Sequence, residues 1–188
     1  MNEKDSVAIV TGGSEGIGKG IAAALAKRGS LVYLVARTED KLERARDEII
    51  KQTGNPRVEY RVGDVTHIDE IIAIIEEVFD KNKRLDYFVN NAGEYKAILP
   101  DMKVEERNDR IDKLIDLDLK APLKISTYLS YRFMNQPFDL HILTVASQAS
   151  FGAFPGGAGY GSAKSSLVFY GLANLKEDMK SRDVKNIT

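Results

Sequence analysis

Cysteine is absent, which excludes a disulfide framework, a thiol nucleophile and a cysteine-ligated metal site. Histidine is nearly absent: His67 and His141 stand isolated and make no histidine metal cluster. No charge of one sign accumulates either. The 27 basic and 28 acidic residues leave a net charge of -1 without long blocks of one sign, so the charge pattern calls for neither nucleic acid nor an anionic membrane as partner. No apolar run approaches the ~18 residues of a membrane-crossing helix. The amino terminus, Met1-Asn2-Glu3-Lys4-Asp5, lacks the basic-then-apolar pattern of a signal peptide, so the expected compartment is the cytoplasm. What remains is an ordinary globular composition: 188 residues, 43% hydrophobic and 29% charged, enough for one domain with a real core.

The chain alternates strand and helix signals. Val7-Ala8-Ile9-Val10 is apolar without polar alternation, as a parallel strand covered on both faces should be. It runs into Thr11-Gly12-Gly13-Ser14-Glu15-Gly16-Ile17-Gly18 and then the helical composition of residues 20–26, with Gly29 as an end signal. Strand, glycine loop and helix together place unsatisfied N–H groups and the positive end of a helix dipole where glycines let a pyrophosphate approach the backbone. Residues 13–19 also fit the G-x-x-x-x-G-K loop of nucleotide hydrolases, but Gly20 then stands where a hydroxyl should bind magnesium. A tight packing turn is the third reading of these glycines.

Residues 31–36 predict a second buried strand, followed by Arg37, 19 positions beyond Gly18. In a dinucleotide fold an acidic residue near this point accepts a ribose 2′-hydroxyl, whereas an arginine fits a 2′-phosphate, so Arg37 favours NADP(H) with NAD(H) still possible. The negative Glu15 in the glycine loop argues the other way. Thr38 is expected to cap a helix with Glu39 and Asp40 in its first turn and Leu42, Ala45, Ile49 and Ile50 inward. Residues 58–62 form a third strand, leading to Gly63-Asp64-Val65-Thr66 and a helix with Ile71, Ile72, Ile74, Ile75, Val78 and Phe79 inward. A fourth strand over 85–90 ends in Asn90-Asn91-Ala92-Gly93. Residues 104–136 read as helical with a bend near Pro122, and residues 140–145 as a fifth strand with Ser147 just past its end.

Tyr160-Gly161-Ser162-Ala163-Lys164 follows a glycine-rich run. Four apart on a helix, the phenol and the ammonium share one face. A fixed positive charge beside a phenol favours its phenolate, which makes a proton donor and acceptor for a carbonyl or alcohol; a pair of surface helix residues is the plain alternative.

Taken in order, Thr11-Gly12-x-x-x-Gly16-x-Gly18, Asp64-Val65, Asn90-Asn91-Ala92-Gly93, Ser147 and Tyr160-x-x-x-Lys164 resemble the motifs of the classical short-chain dehydrogenase/reductase family. These motifs run from Thr11 to Lys164. It implies a doubly wound parallel sheet with helices on both faces, the Rossmann fold, binding a nicotinamide dinucleotide. It also implies hydride transfer between that cofactor and a small alcohol or carbonyl substrate. By the same resemblance Gly12, Ser14, Gly16, Ile17 and Gly18 hold the dinucleotide, Asp64 and Val65 flank the adenine, and Asn91, Ala92 and Gly93 line the cofactor. Ser147 orients the substrate oxygen, Tyr160 is the general acid/base, and Lys164 aids the tyrosine and holds the nicotinamide ribose. Where the family has an asparagine that holds a water through its backbone carbonyl, this chain has Asp118. Its carboxylate either pairs with Lys164 or points elsewhere, which keeps open a second reading as a weakly active redox sensor or scaffold.

A homo-oligomer, dimer or tetramer, is a further implication, built through the helices over 104–134 and 162–180. Residues 184–188 read as the approach to a sixth strand, so residues 1–188 are expected to form a single dinucleotide-binding and catalytic domain ending before the last strands of the fold.

Overall fold

The computed structural model describes residues 5–188. Met1–Lys4, part of the stretch read above for a signal pattern, lies outside them. Five parallel strands, β1 (Val7–Thr11), β2 (Leu31–Ala36), β3 (Val58–Val62), β4 (Tyr87–Asn90) and β5 (His141–Thr144), assemble in the order β3-β2-β1-β4-β5. All the pairings are parallel, with Ala8 opposite Val32 on one side and Tyr87 on the other.

Parallel strands cannot be joined by tight turns, so helices carry the chain back across the faces. Helices α1 (Gly16–Lys27) and α2 (Glu39–Thr53) cover one face; α3 (Ile68–Asn82) and α5 (Ala121–Phe133) cover the other. The period of two along each strand divides the core. Val7, Ile9, Tyr33 and Val35 pack with Ile71, Ile75, Val78, Ile125, Leu129 and Phe133, while Ala8, Val10, Val32 and Leu34 pack with Ala22, Ala26, Leu42, Ala45 and Ile49. Both sides of β1 are therefore dry, which is why it reads as a continuous apolar run. Burying each large side chain such as Phe88 or Ile75, both fully enclosed, contributes about 1.5–3 kcal/mol.

Some elements depart from the sequence reading. Thr38 precedes α2 but its side chain makes no capping hydrogen bond. Ile72 and Ile50 are only partly buried. The long helix expected to bend near Pro122 consists of α4 (Val104–Ile115), a π-helical segment Asp116–Lys120, and α5, with Pro122 in the first turn of α5, where its missing N–H costs least. The last helical stretch runs α6 (Ala158–Ser166), a second π-helical segment Leu167–Leu172, and α7 (Ala173–Ser181). Beyond it Ile187 bridges to Leu140 in parallel, and the Thr188 N–H donates to the Leu140 carbonyl at 2.9 Å, so the chain reaches the outer edge of β5 as a sixth strand would.

Candidate active site

From β1 the chain winds outward to β3, then returns to place β4 on the other side of β1. At such a reversal the following loops diverge and leave a crevice beyond the carboxyl ends of the strands. Thr11, the last residue of β1, ties the two loops together. Its hydroxyl donates to the Val89 carbonyl at 3.0 Å and accepts from the Asn91 and Ala92 N–H groups at 3.0 and 3.2 Å. Asn91 Nδ2 donates in return to the carbonyls of Thr11 and Gly12 at 3.0 and 3.2 Å.

Glycine is required where these segments touch. Gly12 adopts φ +61°, and a Cβ on Gly18 would lie 2.4 Å from the Gly12 carbonyl oxygen and from Asn91 Nδ2. Helix α1 starts at Gly16 after Glu15, which gives it no side-chain cap, so no capping side chain takes up its first N–H groups. The crevice is a cavity of about 600 Å³. Gly12, Ser14, Ile17, Arg37, Asp64, Val65, Asn91, Ala92, Gly93, Ser147, Tyr160 and Lys164 all line it. Gly16 and Gly18 sit at the start of α1 instead, and Asp118 is buried behind the wall.

At one end stands Arg37, 72% exposed in its side chain, with Nη1 4.0 Å from Asp64 Oδ2. Burial pushes the Asp64 carboxyl up, but the N–H and hydroxyl of Thr66, with Arg37 beyond them, hold it below the usual carboxylate range. Lys41 also lines this end and pairs with Glu15 at 3.1 Å, drawing off the negative charge that argued against a phosphate. Lys19, which the nucleotide-hydrolase reading would aim at a phosphate, pairs with Glu48 of α2 and does not line the cavity. Among the described residues no group of His, Asp and Glu could hold a metal ion.

At the other end Ser147 caps a short 3-10 turn, Gln148–Ser150, its Oγ accepting the Ala149 N–H at 3.2 Å. That role leaves the hydroxyl proton for another acceptor. Tyr160 and Lys164 lie one turn apart on α6, the ammonium 5.7 Å from the centre of the phenol ring. The ring of Tyr95 meets Tyr160 edge-on at 5.5 Å, and Phe154 lies 5.8 Å from Tyr95, so aromatic faces flank the phenol.

Lys164 is almost wholly buried, its Nζ 3.4 Å from the Val145 carbonyl and 3.1 Å from Asp118 Oδ1. The second contact is ionic rather than a well-aligned hydrogen bond: Oδ1 has no hydrogen-bond partner, while Oδ2 accepts the Glu94 N–H at 3.4 Å. Burial raises the Asp118 carboxyl above its ordinary range, with the Lys164 ammonium opposing it. The π-helical segment carries Asp118, and Gly93 leaves room for it: a Cβ there would lie 2.5 Å from Oδ1. Of the two arrangements left open by the sequence, the carboxylate takes the one facing Lys164.

Sequence reasoning missed Thr11 as the tie between loops, Lys41 as the partner of Glu15, and Tyr95 beside Tyr160. A hydroxyl ending an apolar strand and an aromatic two residues beyond Asn-Asn-Ala-Gly were the available signals.

A parallel sheet with a dinucleotide crevice at its switch point, and a Ser, a Tyr and a Lys at one end of that crevice, describe a nicotinamide-dependent oxidoreductase class. A family model described as short chain dehydrogenase matches residues 6–186, and the chain belongs to that family. It is 34% identical over 184 residues to an uncharacterized oxidoreductase of Staphylococcus saprophyticus, covering 97% of this chain and 69% of that protein. It is 31% identical over 167 residues to an 11-beta-hydroxysteroid dehydrogenase-like protein of Arabidopsis thaliana, covering 87% and 54%. Among solved structures, a short chain dehydrogenase from Mycobacterium smegmatis superposes with a TM-score of 0.82 at 26% identity, over 97% of this chain and 73% of that one. A variant of actinorhodin polyketide ketoreductase solved with NADPH gives 0.81 at 26% identity, over 100% and 69%. The chain thus spans 69% and 54% of the length of these two curated relatives. No described helix is long and apolar enough to cross a membrane.

Proposed function

We propose that this chain carries the cofactor site and acid–base centre of an NADP(H)-preferring reductase that interconverts a small-molecule carbonyl and its alcohol. One observation carries the reading: a single cavity is lined at one end by Arg37 and the glycine loop and at the other by Ser147, Tyr160 and Lys164. When bound, the nicotinamide supplies or accepts the hydride. Gly12, Ser14 and Ile17, with the open N–H groups of α1, hold the pyrophosphate. Arg37 faces the 2′-phosphate, Asp64 and Val65 flank the adenine, and Asn91, Ala92 and Gly93 border the ribose.

In the reducing direction Ser147 donates a hydrogen bond to the substrate oxygen and Tyr160 gives that oxygen its proton. In the reverse direction the same phenol oxygen takes the proton from the alcohol. Lys164 places its charge beside the phenol and is the residue that holds the nicotinamide ribose. A homo-oligomer in the cytoplasm, assembled through the helices over 104–134 and 162–180, completes the proposal. A cofactor-binding protein with weak turnover is the second reading, favoured by the contact of Asp118 with Lys164.

The test is fluorescence titration of NADPH against NADH, followed by NADPH consumption with a panel of aliphatic and aromatic aldehydes and ketones. Tighter NADPH binding with turnover supports the first reading, and binding without turnover the second. Binding of neither cofactor refutes both.

A further inference from the structure

The Asp118–Lys164 pair sits where charge counts most. Lys164 Nζ lies 3.1 Å from Asp118 Oδ1 and 5.7 Å from the centre of the Tyr160 phenol ring. With 6% and 0% of their side chains exposed, water screens neither charge of the pair. The other groups around Asp118 do not take over its role. Glu94, from the loop after β4, gives its N–H to Oδ2, and its own carboxylate is engaged by Lys96 at 2.9 Å. Asp116, on the same segment, is engaged by Lys120 at the surface at 2.7 Å. Val145 offers only a carbonyl.

An ammonium beside a phenol favours the phenolate, and a carboxylate paired with that ammonium opposes the effect. We propose that Asp118 is a positioning residue that offsets the Lys164 charge, keeping Tyr160 a proton donor and biasing the centre toward carbonyl reduction at neutral pH. The inference rests on the function proposed above and deepens it by assigning a direction. In reduction, hydride reaches the carbonyl carbon while the Tyr160 proton goes to the oxygen, giving the alcohol and oxidised cofactor. In oxidation the phenolate must take the hydroxyl proton as hydride leaves the carbon, and this is the half-reaction that Asp118 disfavours.

The geometry adds an acid-side consequence. A proton on Asp118 removes its negative charge, so Lys164 acts on Tyr160 without opposition only where Asp118 is protonated.

Two measurements test this on the full chain. In the first, the pH profiles of NADPH oxidation with an aldehyde and of NADP⁺ reduction with the matching alcohol are recorded for the wild type and Asp118→Asn. The expected result is a gain of up to about tenfold in alcohol oxidation at neutral pH, with the profile of that direction displaced toward lower pH. Carbonyl reduction falls off at a correspondingly lower pH. Superimposable profiles overturn the proposal.

The second measurement needs no substrate and does not depend on the Asn variant folding. It follows the side-chain carboxyl ¹³C resonance of Asp118 through a pH titration in the wild type and in Lys164→Met. Asp118 is expected to titrate above the ordinary carboxylate range and to move higher still without the ammonium. Identical titrations mean that the pair is not coupled and also overturn the proposal. Cofactor binding without turnover in either protein refutes the proposed reaction and with it the directional bias, while the titration still reports whether the pair exists.

Discussion

The Thr11 hydroxyl joins the ends of β1 and β4: it donates to Val89 and accepts from the Asn91 N–H at 3.0 Å on each side. The buried hydroxyl has no water to fall back on. Thr11→Val keeps the shape but strands the Asn91 and Ala92 N–H groups, at a cost of about 1–3 kcal/mol. Urea denaturation is expected to show this loss together with weaker NADPH binding, since the same bonds set both walls of the crevice.

Gly18 marks the tightest approach in the cofactor loop. A methyl group there would have to push against the Gly12 carbonyl and Asn91 Nδ2, both at 2.4 Å. Gly18→Ala is expected to destabilise the protein by about 1–3 kcal/mol. NADPH titration should show a loss of affinity beyond what the lost stability explains, because the displaced loop is the one proposed to hold the pyrophosphate.

In the proposed function Arg37 is the cation that would meet a 2′-phosphate. Arg37→Ala should narrow the preference for NADPH over NADH by about tenfold, or ~1.4 kcal/mol, and leave NADH binding near its original strength. Equal losses for both cofactors would assign Arg37 to general positioning rather than to selection.

Asp64 supplies a pH signature. Burial pushes its carboxyl up, but the two Thr66 bonds and Arg37 pull it below the usual range. Its folded form therefore holds a proton less readily than its unfolded form. The stability it contributes is present above the ordinary carboxylate range and is lost as the pH falls through the lowered value. Thr66→Val is expected to cost about 0.5–1.5 kcal/mol at neutral pH, a difference that closes in strong acid. Chemical denaturation at several pH values checks this.

The sheet was legible because strands buried on both faces leave near-continuous apolar runs, as residues 7–10 and 31–36 do. The glycine loop was legible because few local structures need Gly12, Gly16 and Gly18 at that spacing. The placement of Asp118 was not, since it depends on a π-helical segment whose register local composition does not encode, and on α4 and α6 coming together. Thr38 looked like a cap by residue type, yet its side chain makes no such bond. Tyr95 lies in a loop whose path is set by tertiary contacts, among them the Ile98 N–H bonded to the Gly156 carbonyl at 2.9 Å.

The central claim is that the Tyr160 phenol moves the proton. Its most direct test is NADPH oxidation by the wild type and Tyr160→Phe, with a carbonyl that the wild type turns over and with NADPH binding measured on both. Loss of the hydroxyl should lower turnover by at least about 100-fold while the cofactor still binds. Turnover at the wild-type rate in Tyr160→Phe would contradict the account.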